Sequence, residues 1–137
     1  MSATNTDSPV LDGVWYRPYL LTPNTTNSGA NSLPPSAKVG QVGTVTNNSS
    51  DWITLPSLAD VPNGHEMLIL CLAGGAFKLR TPTSSNEKVN NVDCDGTNTY
   101  ACTDGDILRV VKVSNTAGWV AQSITALGAL RGAVVPS

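Results

Sequence analysis

The amino-acid sequence predicts an all-β protein, folded as a single sandwich or barrel of about eight short strands. Three observations support this fold class. Alternating or β-branched runs follow one another from residue 39 onward, turn sequences rich in Gly, Asn, Asp and Pro separate them, and no stretch reads as a long helix. Short strands at such spacing are typical of sandwiches and barrels. The sequence leaves open whether the domain is a jelly-roll-like sandwich, a barrel or another sandwich.

The centre of the predicted fold is residues 66–80, which read EMLILCLAGGAFKLR. The apolar run of residues 67–72 is far shorter than the roughly 20 residues that cross a bilayer. A glycine pair follows it, and residues 76–80 then alternate between apolar and polar side chains. Glycine supplies the positive φ angles that a tight turn requires. The stretch therefore predicts a β-hairpin whose first strand is buried on both faces.

The other strands follow in order along the chain. Residues 41–46 and 51–55 form two strands, and residues 88–93 and 97–103 are expected to pair as a hairpin around Asp95-Gly96. Residues 106–113 are the most β-branched segment, and a turn at 115–118 leads to a last strand at 119–124. Its alternation buries either Trp119, Ala121 and Ser123 or the opposite set.

The chain divides into an extended N-terminal arm (1–38), the β domain (39–125) and a short C-terminal tail (126–137), which is expected to be extended. The arm is polar and rich in turn residues, with an aromatic cluster in its middle. Aromatic residues and arginine dominate binding hot spots, so this cluster is predicted to anchor the arm on a partner. The alternative is that the cluster folds back on its own domain as a lid or edge strand. The anchor residues are Trp15, Tyr16, Arg17, Tyr19, Leu20 and Leu21.

Composition favours a structural role and argues against two kinds of partner. Charged residues make up 13% of the chain, against roughly 25% in an average soluble protein, and Asn, Thr and Ser replace them. Neutral polar side chains suit a surface partly covered by neighbours, although a loop-rich β protein has the same composition. The net charge of −2 and the scattered cations argue against nucleic acid. The chain opens with neither a secretory signal nor a membrane anchor, so it is expected to be made and kept in a cytoplasm.

The residues capable of chemistry do not form a recognisable site. The 3 cysteines, Cys71, Cys94 and Cys102, are expected to be reduced, with Cys71 packed as a small hydrophobe. The single histidine, His65, adjoins a turn and is expected to be solvated, and no zinc-type spacing is present. No metal and no cofactor are predicted.

Two carboxylate motifs are better explained as turns than as sites. Residues 93–97 resemble the start of a calcium loop, but Gly96 lies at the fourth position instead of the sixth, and Asp104 stands at the twelfth position, where an EF-hand has a bidentate glutamate. Asp104 and Asp106 flank Gly105 and are expected to be exposed, whereas a glycosidase acid needs an apolar cleft. Neither a nucleophile elbow nor a phosphate-binding glycine loop is present. The chain is therefore predicted not to be an enzyme.

Residues 51–56, 59–62, 80–86 and 115–120 read DWITLP, ADVP, RTPTSSN and NTAGWV. These four segments resemble small virion proteins of tailed bacteriophages, namely head decoration (cement) proteins and short fibre-like proteins. The likeness spans roughly residues 50–128, leaves out the arm and transfers no active-site residue.

The resemblance implies an all-β protein on the capsid surface, made in the host cytoplasm. It would bind the major capsid protein of its virion as a homotrimer and stabilise the shell, with arms clasping the shell or neighbouring subunits. The alternative is a fibre or tip protein that binds a host surface glycan, with Trp52 or Trp119 stacked on sugar rings. Core packing is the default for both tryptophans.

Overall fold

A computed structural model describes residues 17–42, 50–72, 76–96, 98–103, 105–125, 127–130 and 136. These residues form ten short strands in two packed sheets, which confirms the predicted all-β sandwich. The described elements other than strands are two 3-10 turns, at Gly29–Asn31 and Leu58–Asp60. No helix among the described residues is long and apolar enough to cross a membrane.

The large sheet has seven strands in the order β1-β2-β4-β9-β10-β6-β7. β2 runs parallel to both β1 and β4, and β6 runs parallel to β10, while the remaining pairs are antiparallel. The strands are β1 (Tyr19–Leu21), β2 (Val39–Val42), β4 (Glu66–Cys71), β6 (Lys88–Val89), β7 (Val92–Asp93), β9 (Ile107–Ser114) and β10 (Gly118–Ile124).

The small sheet contains β3 (Trp52–Thr54), β5 (Phe77–Arg80) and β8 (Tyr100–Cys102), in the order β3-β5-β8. β3 and β5 are parallel, and β5 and β8 are antiparallel. From β2 to β5 the chain changes sheet at every step. Successive strands within one sheet are thus separated by a strand in the other, and this connectivity allows the parallel pairs β2–β4 and β3–β5.

The predicted central hairpin is therefore wrong. β4 pairs with β2 and β9, whereas β5 belongs to the other sheet. The glycine pair between them lies outside the described residues, but the connection runs between sheets. Burial of β4 on both faces is also wrong, because Met67 and Ile69 are fully buried while Leu68 between them is 38% exposed. β4 has one face on the core and one on the surface.

The hairpin predicted around Asp95-Gly96 is also wrong. β8 pairs with β5, and the turn lies earlier, between β6 and β7 at Asn90 and Asn91. These asparagines have φ angles of 50° and 68°, the left-handed conformation that a two-residue type I′ hairpin requires at both positions. Asparagine adopts this conformation more readily than most residues.

The β9–β10 hairpin agrees with the sequence prediction. Its strands pair over the whole of β10, and Trp119, Ala121 and Ser123 are the buried set. Gly118 closes the turn with φ +80°, and a Cβ there would lie 2.3 Å from the carbonyl oxygen of Lys88. The turn therefore requires glycine, for its backbone conformation and for the close approach of β6.

The arm is described from Arg17, and from there it lies against the β domain instead of extending away from it. β1 is an edge strand of the large sheet, and Leu21 and Leu33 are buried in the core. Asn31 is fully buried: its amide donates to the carbonyls of Thr26 and Trp52, and its oxygen accepts from the Ser28 backbone. A sequence that reads as linker is thus fastened by an apolar side chain every few residues and by one saturated amide.

All three cysteines are free and buried, as the sequence predicts for Cys71. Burial raises the pKa of Cys94 to about 11 and holds the pKa of Cys102 well above its usual range. Because the thiolate is the reactive form, we expect no rapid reaction of the native protein with a disulfide reagent. In the denatured protein all three thiols should react with the reagent promptly. A thiol that reacts as fast in the native protein would contradict the packing described here.

Candidate interaction surface

The solvent side of the large sheet is unusually apolar. We call it the outer face, formed by the side chains that point away from the small sheet. The strand registers place Leu68 beside Val39 and Arg109, and Val111 beside Val120. The apolar members are Leu20, Val39, Leu68, Leu70, Ile107, Val111, Val113, Val120 and Ile124, and the polar members are Gln41, Glu66, Arg109 and Gln122.

Several apolar side chains of the outer face are well exposed. Val113 and Val120 are 49% and 50% exposed, and Leu20 on the edge strand is 71% exposed. Single exposed apolar residues are normal on protein surfaces, whereas a contiguous apolar patch marks an interaction site. Here the registers place the apolar residues next to one another on five adjoining strands. The outer face therefore has the character of an interface.

The charges on the outer face cancel. Glu66 accepts a hydrogen bond from Arg109 Nε in an ion pair between neighbouring strands. Both side chains are about half-exposed, so the pair adds little to stability. It leaves the face nearly neutral, which suits a partner that is itself apolar and neutral.

The two edges of the large sheet are short. β1 has three residues and β7 has two. Short edge strands discourage pairing with other chains through backbone hydrogen bonds. A partner of this sheet would thus meet side chains on the outer face, and not an extended backbone edge.

The structure divides the predicted anchor residues between different environments. Trp15 and Tyr16 lie outside the described residues. Arg17 and Tyr19 are exposed, Leu20 belongs to the outer face, and Leu21 is 3% exposed in the core. Leu21 is therefore a packing residue. Of the described anchor residues only Leu20 lies on the outer face, which the sequence did not identify because it is assembled from strands distant in the chain.

His65 is buried, contrary to the solvated position expected from the sequence. Lys38 Nζ lies 3.2 Å from His65 Nδ1, and an ammonium group can only donate, so Nδ1 accepts. The neutral ring then carries its proton on Nε2, which is buried without a partner among the described residues. Burial, and secondly the Lys38 charge, lower the pKa of His65.

This environment predicts that the protein loses stability in mild acid. The lowered pKa means that unfolded chain binds the His65 proton more readily than folded chain does. The contribution of His65 to the free energy of unfolding is thus complete above its pKa in the unfolded chain, about 6.5. It declines as the pH falls from that value toward the lower pKa of the folded protein. Urea unfolding at neutral and mildly acidic pH should show this decline, and His65→Gln should reduce it. An equal pH dependence in both proteins would contradict the assignment.

Trp52 and Trp119 occupy different environments. Trp119 is fully buried, so it is unavailable for stacking on a ligand. Trp52 is half-buried on the small sheet, and the guanidinium carbon of Arg80 lies 4.1 Å from its ring centroid. Its indole N–H donates to Asn27, and Asn27 and Arg80 both donate to the Thr83 hydroxyl. This cluster fastens the loop before β2 to the small sheet and leaves at most one ring face open.

The acidic residues considered for catalysis do not gain a catalytic setting. Asp106 is buried, contrary to the expected exposure, and Asp104 lies outside the described residues. No group of three or more His, Cys, Asp or Glu side chains in the described ranges is arranged to hold a metal ion.

Comparison of the chain with known protein families, with curated proteins and with solved structures found no match.

Proposed function

We propose that the protein is a structural component of a virus particle: a capsid decoration protein that self-associates as a homotrimer and binds the major capsid protein of the shell. The observation that supports this proposal most directly is the apolar, charge-neutral outer face of the large sheet. The virion setting rests on the resemblance of the strand segments to phage decoration and fibre-like proteins.

The outer face suits self-association because it is apolar and nearly neutral, and a surface of that kind is best complemented by another apolar, neutral surface. A second copy presents the same apolar rows and the same cancelled Glu66–Arg109 charges, so two copies meet without repulsion. Gln41 and Gln122 each offer a donor and an acceptor, so each can hydrogen-bond to a different polar group of the neighbouring copy, as the head-to-tail contacts of a cyclic trimer require. The opposite side of the sandwich presents Lys78, Arg80 and Trp52, and it is more polar.

The arm contributes to this function differently from a free tether. Its residues 19–38 are part of the sandwich, so only the segment before Arg17 remains as a candidate for contacts outside the domain. A deletion of the whole arm would remove Leu21, Leu33 and Asn31 and would test folding instead of binding. A deletion of residues 1–16 separates the two effects.

The test is the solution mass of the full chain and of the chain lacking residues 1–16, measured by light scattering. We expect a trimer in both, because the outer face lies within the described sandwich. Decoration-free shells of the virus should also bind the full chain in a co-sedimentation assay. A monomer at all concentrations would overturn the self-association, and failure to bind shells would overturn the capsid role.

A fibre or tip protein that binds a host glycan is the second candidate, supported by the partly exposed indole of Trp52. Arg80 already covers part of that indole. A glycan bound there should protect Trp52 from an aqueous quencher, and Trp52→Phe should abolish both the protection and the binding. Binding that survives this substitution would exclude the Trp52 surface as the glycan site.

A further inference from the structure

Leu127 is the most exposed large apolar residue among those the structure describes, with 97% of its surface accessible. It lies at the tip of a turn just beyond the end of β10, and Leu130 after the same turn is 62% exposed. Residues 113–130 contain no charged side chain, so the tip belongs to a long neutral stretch. Burial of a leucine against another molecule is favourable, which makes this tip a candidate contact.

The turn that carries Leu127 is closed by its own hydrogen bonds. The backbone N–H of Gly128 donates to the carbonyl oxygen of Thr125, and the N–H of Thr125 donates to that of Ala129, both at 2.8 Å. The hydroxyl of Thr125 accepts from the N–H of Ala129. Leu127 is therefore presented in a defined position, which reduces the entropy that the turn loses on binding.

A cavity of about 480 Å³ lies toward the other end of the outer face, within the size range of ligand sites. Its apolar walls are Val39 and Leu68, from the parallel pair β2–β4. Lys38, Gly64, Glu66 and Arg109 complete the lining. The apolar walls suit a leucine side chain, and the volume admits part of the turn that carries it.

The tip and the cavity of one chain are too far apart to meet. The strand registers place Ile124 on the same row as Leu70, whereas Leu68 and Glu66 of the cavity lie nearer the start of β4. Leu70 and Glu66 are four residues apart, about 13 Å along the strand. β10 points in the same direction as β4, so the turn continues beyond Ile124, away from the cavity. Leu127 can therefore enter only the cavity of another copy.

The polar lining of the cavity also suits an uncharged turn. Arg109 is neutralised by Glu66, and the Lys38 ammonium contacts the neutral imidazole of His65. An ammonium group has three donors, so Lys38 keeps donors for an incoming acceptor. Backbone carbonyl oxygens of a turn are such acceptors, and Lys112 binds two carbonyl oxygens in this way within the sandwich.

We propose that Leu127 of one copy inserts between Val39 and Leu68 of the next copy, and that three such contacts close the trimer. The Lys38 ammonium donates to a carbonyl oxygen of the inserted turn. In a cyclic oligomer each copy gives one surface to a neighbour and receives a different one, and the tip and the cavity are two such surfaces. This contact rests on the proposed self-association, for which it supplies the residues.

Light scattering of two variants and of their mixture tests the contact. Leu127→Lys removes the apolar tip and Leu68→Lys obstructs the cavity, so each variant alone should have an about three-fold lower mass than the trimer. An equimolar mixture should form a dimer, because the intact tip of the Leu68→Lys chain enters the intact cavity of the Leu127→Lys chain. No third chain can add, since the remaining tip and cavity are both altered.

The mixture is measured at protein concentrations well above those at which the unmodified trimer forms, because ring closure adds a third contact that the dimer lacks. A mixture that stays monomeric under these conditions would overturn the proposal. Leu127→Met is the matched control: it keeps an apolar side chain of similar volume and should retain the trimer mass. Both lysine variants should still unfold cooperatively, since both positions are exposed.

The masses also separate this contact from the proposed function. If the unmodified protein is a trimer and Leu127→Lys is a trimer as well, the tip is not the contact, while the self-association stands. If the unmodified protein is itself a monomer, the self-association fails, and this contact fails with it.

Nuclear magnetic resonance locates the contact in the mixture. With the isotope label on the Leu127→Lys chain only, addition of the unlabelled Leu68→Lys chain should shift the backbone amide signals of Gly64, Leu68 and Arg109. With the label on the Leu68→Lys chain, the signals of Leu127 and Gly128 should shift instead. Shifts confined to other parts of the sandwich would overturn the insertion of the tip into the cavity.

Discussion

Val120→Lys is expected to convert the proposed trimer into a monomer. Val120 lies on β10, the last of the five strands that form the outer face, is half-exposed and adjoins Val111 on β9. A lysine there is well solvated in the free chain, but its ammonium group would be desolvated without a partner in each of the three subunit contacts. The mass measured by light scattering should fall about three-fold. The thermal unfolding of the dissociated chain should still be cooperative.

The control for this substitution lies on the opposite side of the sandwich. Ala101→Lys also places a lysine at an exposed strand position, on the outer surface of the small sheet. Its mass should equal that of the unmodified protein. If both variants stay trimeric, the outer face is not the contact; if both dissociate, the effect is not specific to that face.

Lys112→Met is expected to lower the free energy of unfolding by about 2–4 kcal/mol. Lys112 is 4% exposed, and its ammonium donates to the carbonyl oxygens of Leu58 and Val61, at 2.6 and 2.7 Å. Methionine keeps the length of the side chain but leaves both buried carbonyl groups without this donor. Urea unfolding measures the change. The 3-10 turn at Leu58–Asp60 should then be the region whose amide protons exchange faster.

Lys78→Met provides the comparison for Lys112→Met. Lys78 is half-buried on the outer surface of the small sheet. Its replacement should change the free energy of unfolding by no more than about 0.5 kcal/mol. Similar losses for the two variants would mean that the general cost of removing a lysine, and not the two carbonyl contacts, sets the value for Lys112.

Local features of the sequence predicted the fold class and one hairpin correctly. The β9–β10 pair follows from a short turn and two strongly alternating strands, so the information lies within about twenty residues. Pairing between strands distant in the chain was not accessible in the same way. The sequence of β4, β5 and the glycine pair between them resembles that of a hairpin. Only the packing of the whole chain places β4 and β5 in different sheets.

The partners of buried polar residues could not be predicted from the sequence, for a related reason. Lys112 continues the inward alternation of Leu108 and Val110, so strand periodicity alone would have placed it in the core. Its acceptors come from a turn some fifty residues away. His65, which was expected to be solvated, depends in the same way on Lys38, which directly precedes β2. The sequence gives the position of such a side chain along a strand, but its partners come from tertiary structure.

The candidate interaction surface shows a similar limit. In the structure the burial of these strands alternates, as in a sheet with one solvent face, but the apolar character of that face emerges only when five strands are placed side by side. The aromatic cluster in the arm was visible as a candidate anchor. Its division between the core and the outer face was not, because a polar segment that packs on a domain has the composition of a free linker.

The passage of the chain from one sheet to the other also shapes how the protein folds. β2 and β4 can pair only after the chain has left for β3 and returned, and β3 and β5 only after it has passed through β4. For most strand pairs, a long loop must therefore close, with a loss of chain entropy, before the stabilising contacts between the strands can form. This requirement slows folding. While the sandwich is incomplete, the apolar strands that later form the outer face are exposed together with the core. A high protein concentration during refolding would therefore favour aggregation of incompletely folded chains as well as self-association of folded ones. Rapid dilution should allow the chains to fold before they aggregate.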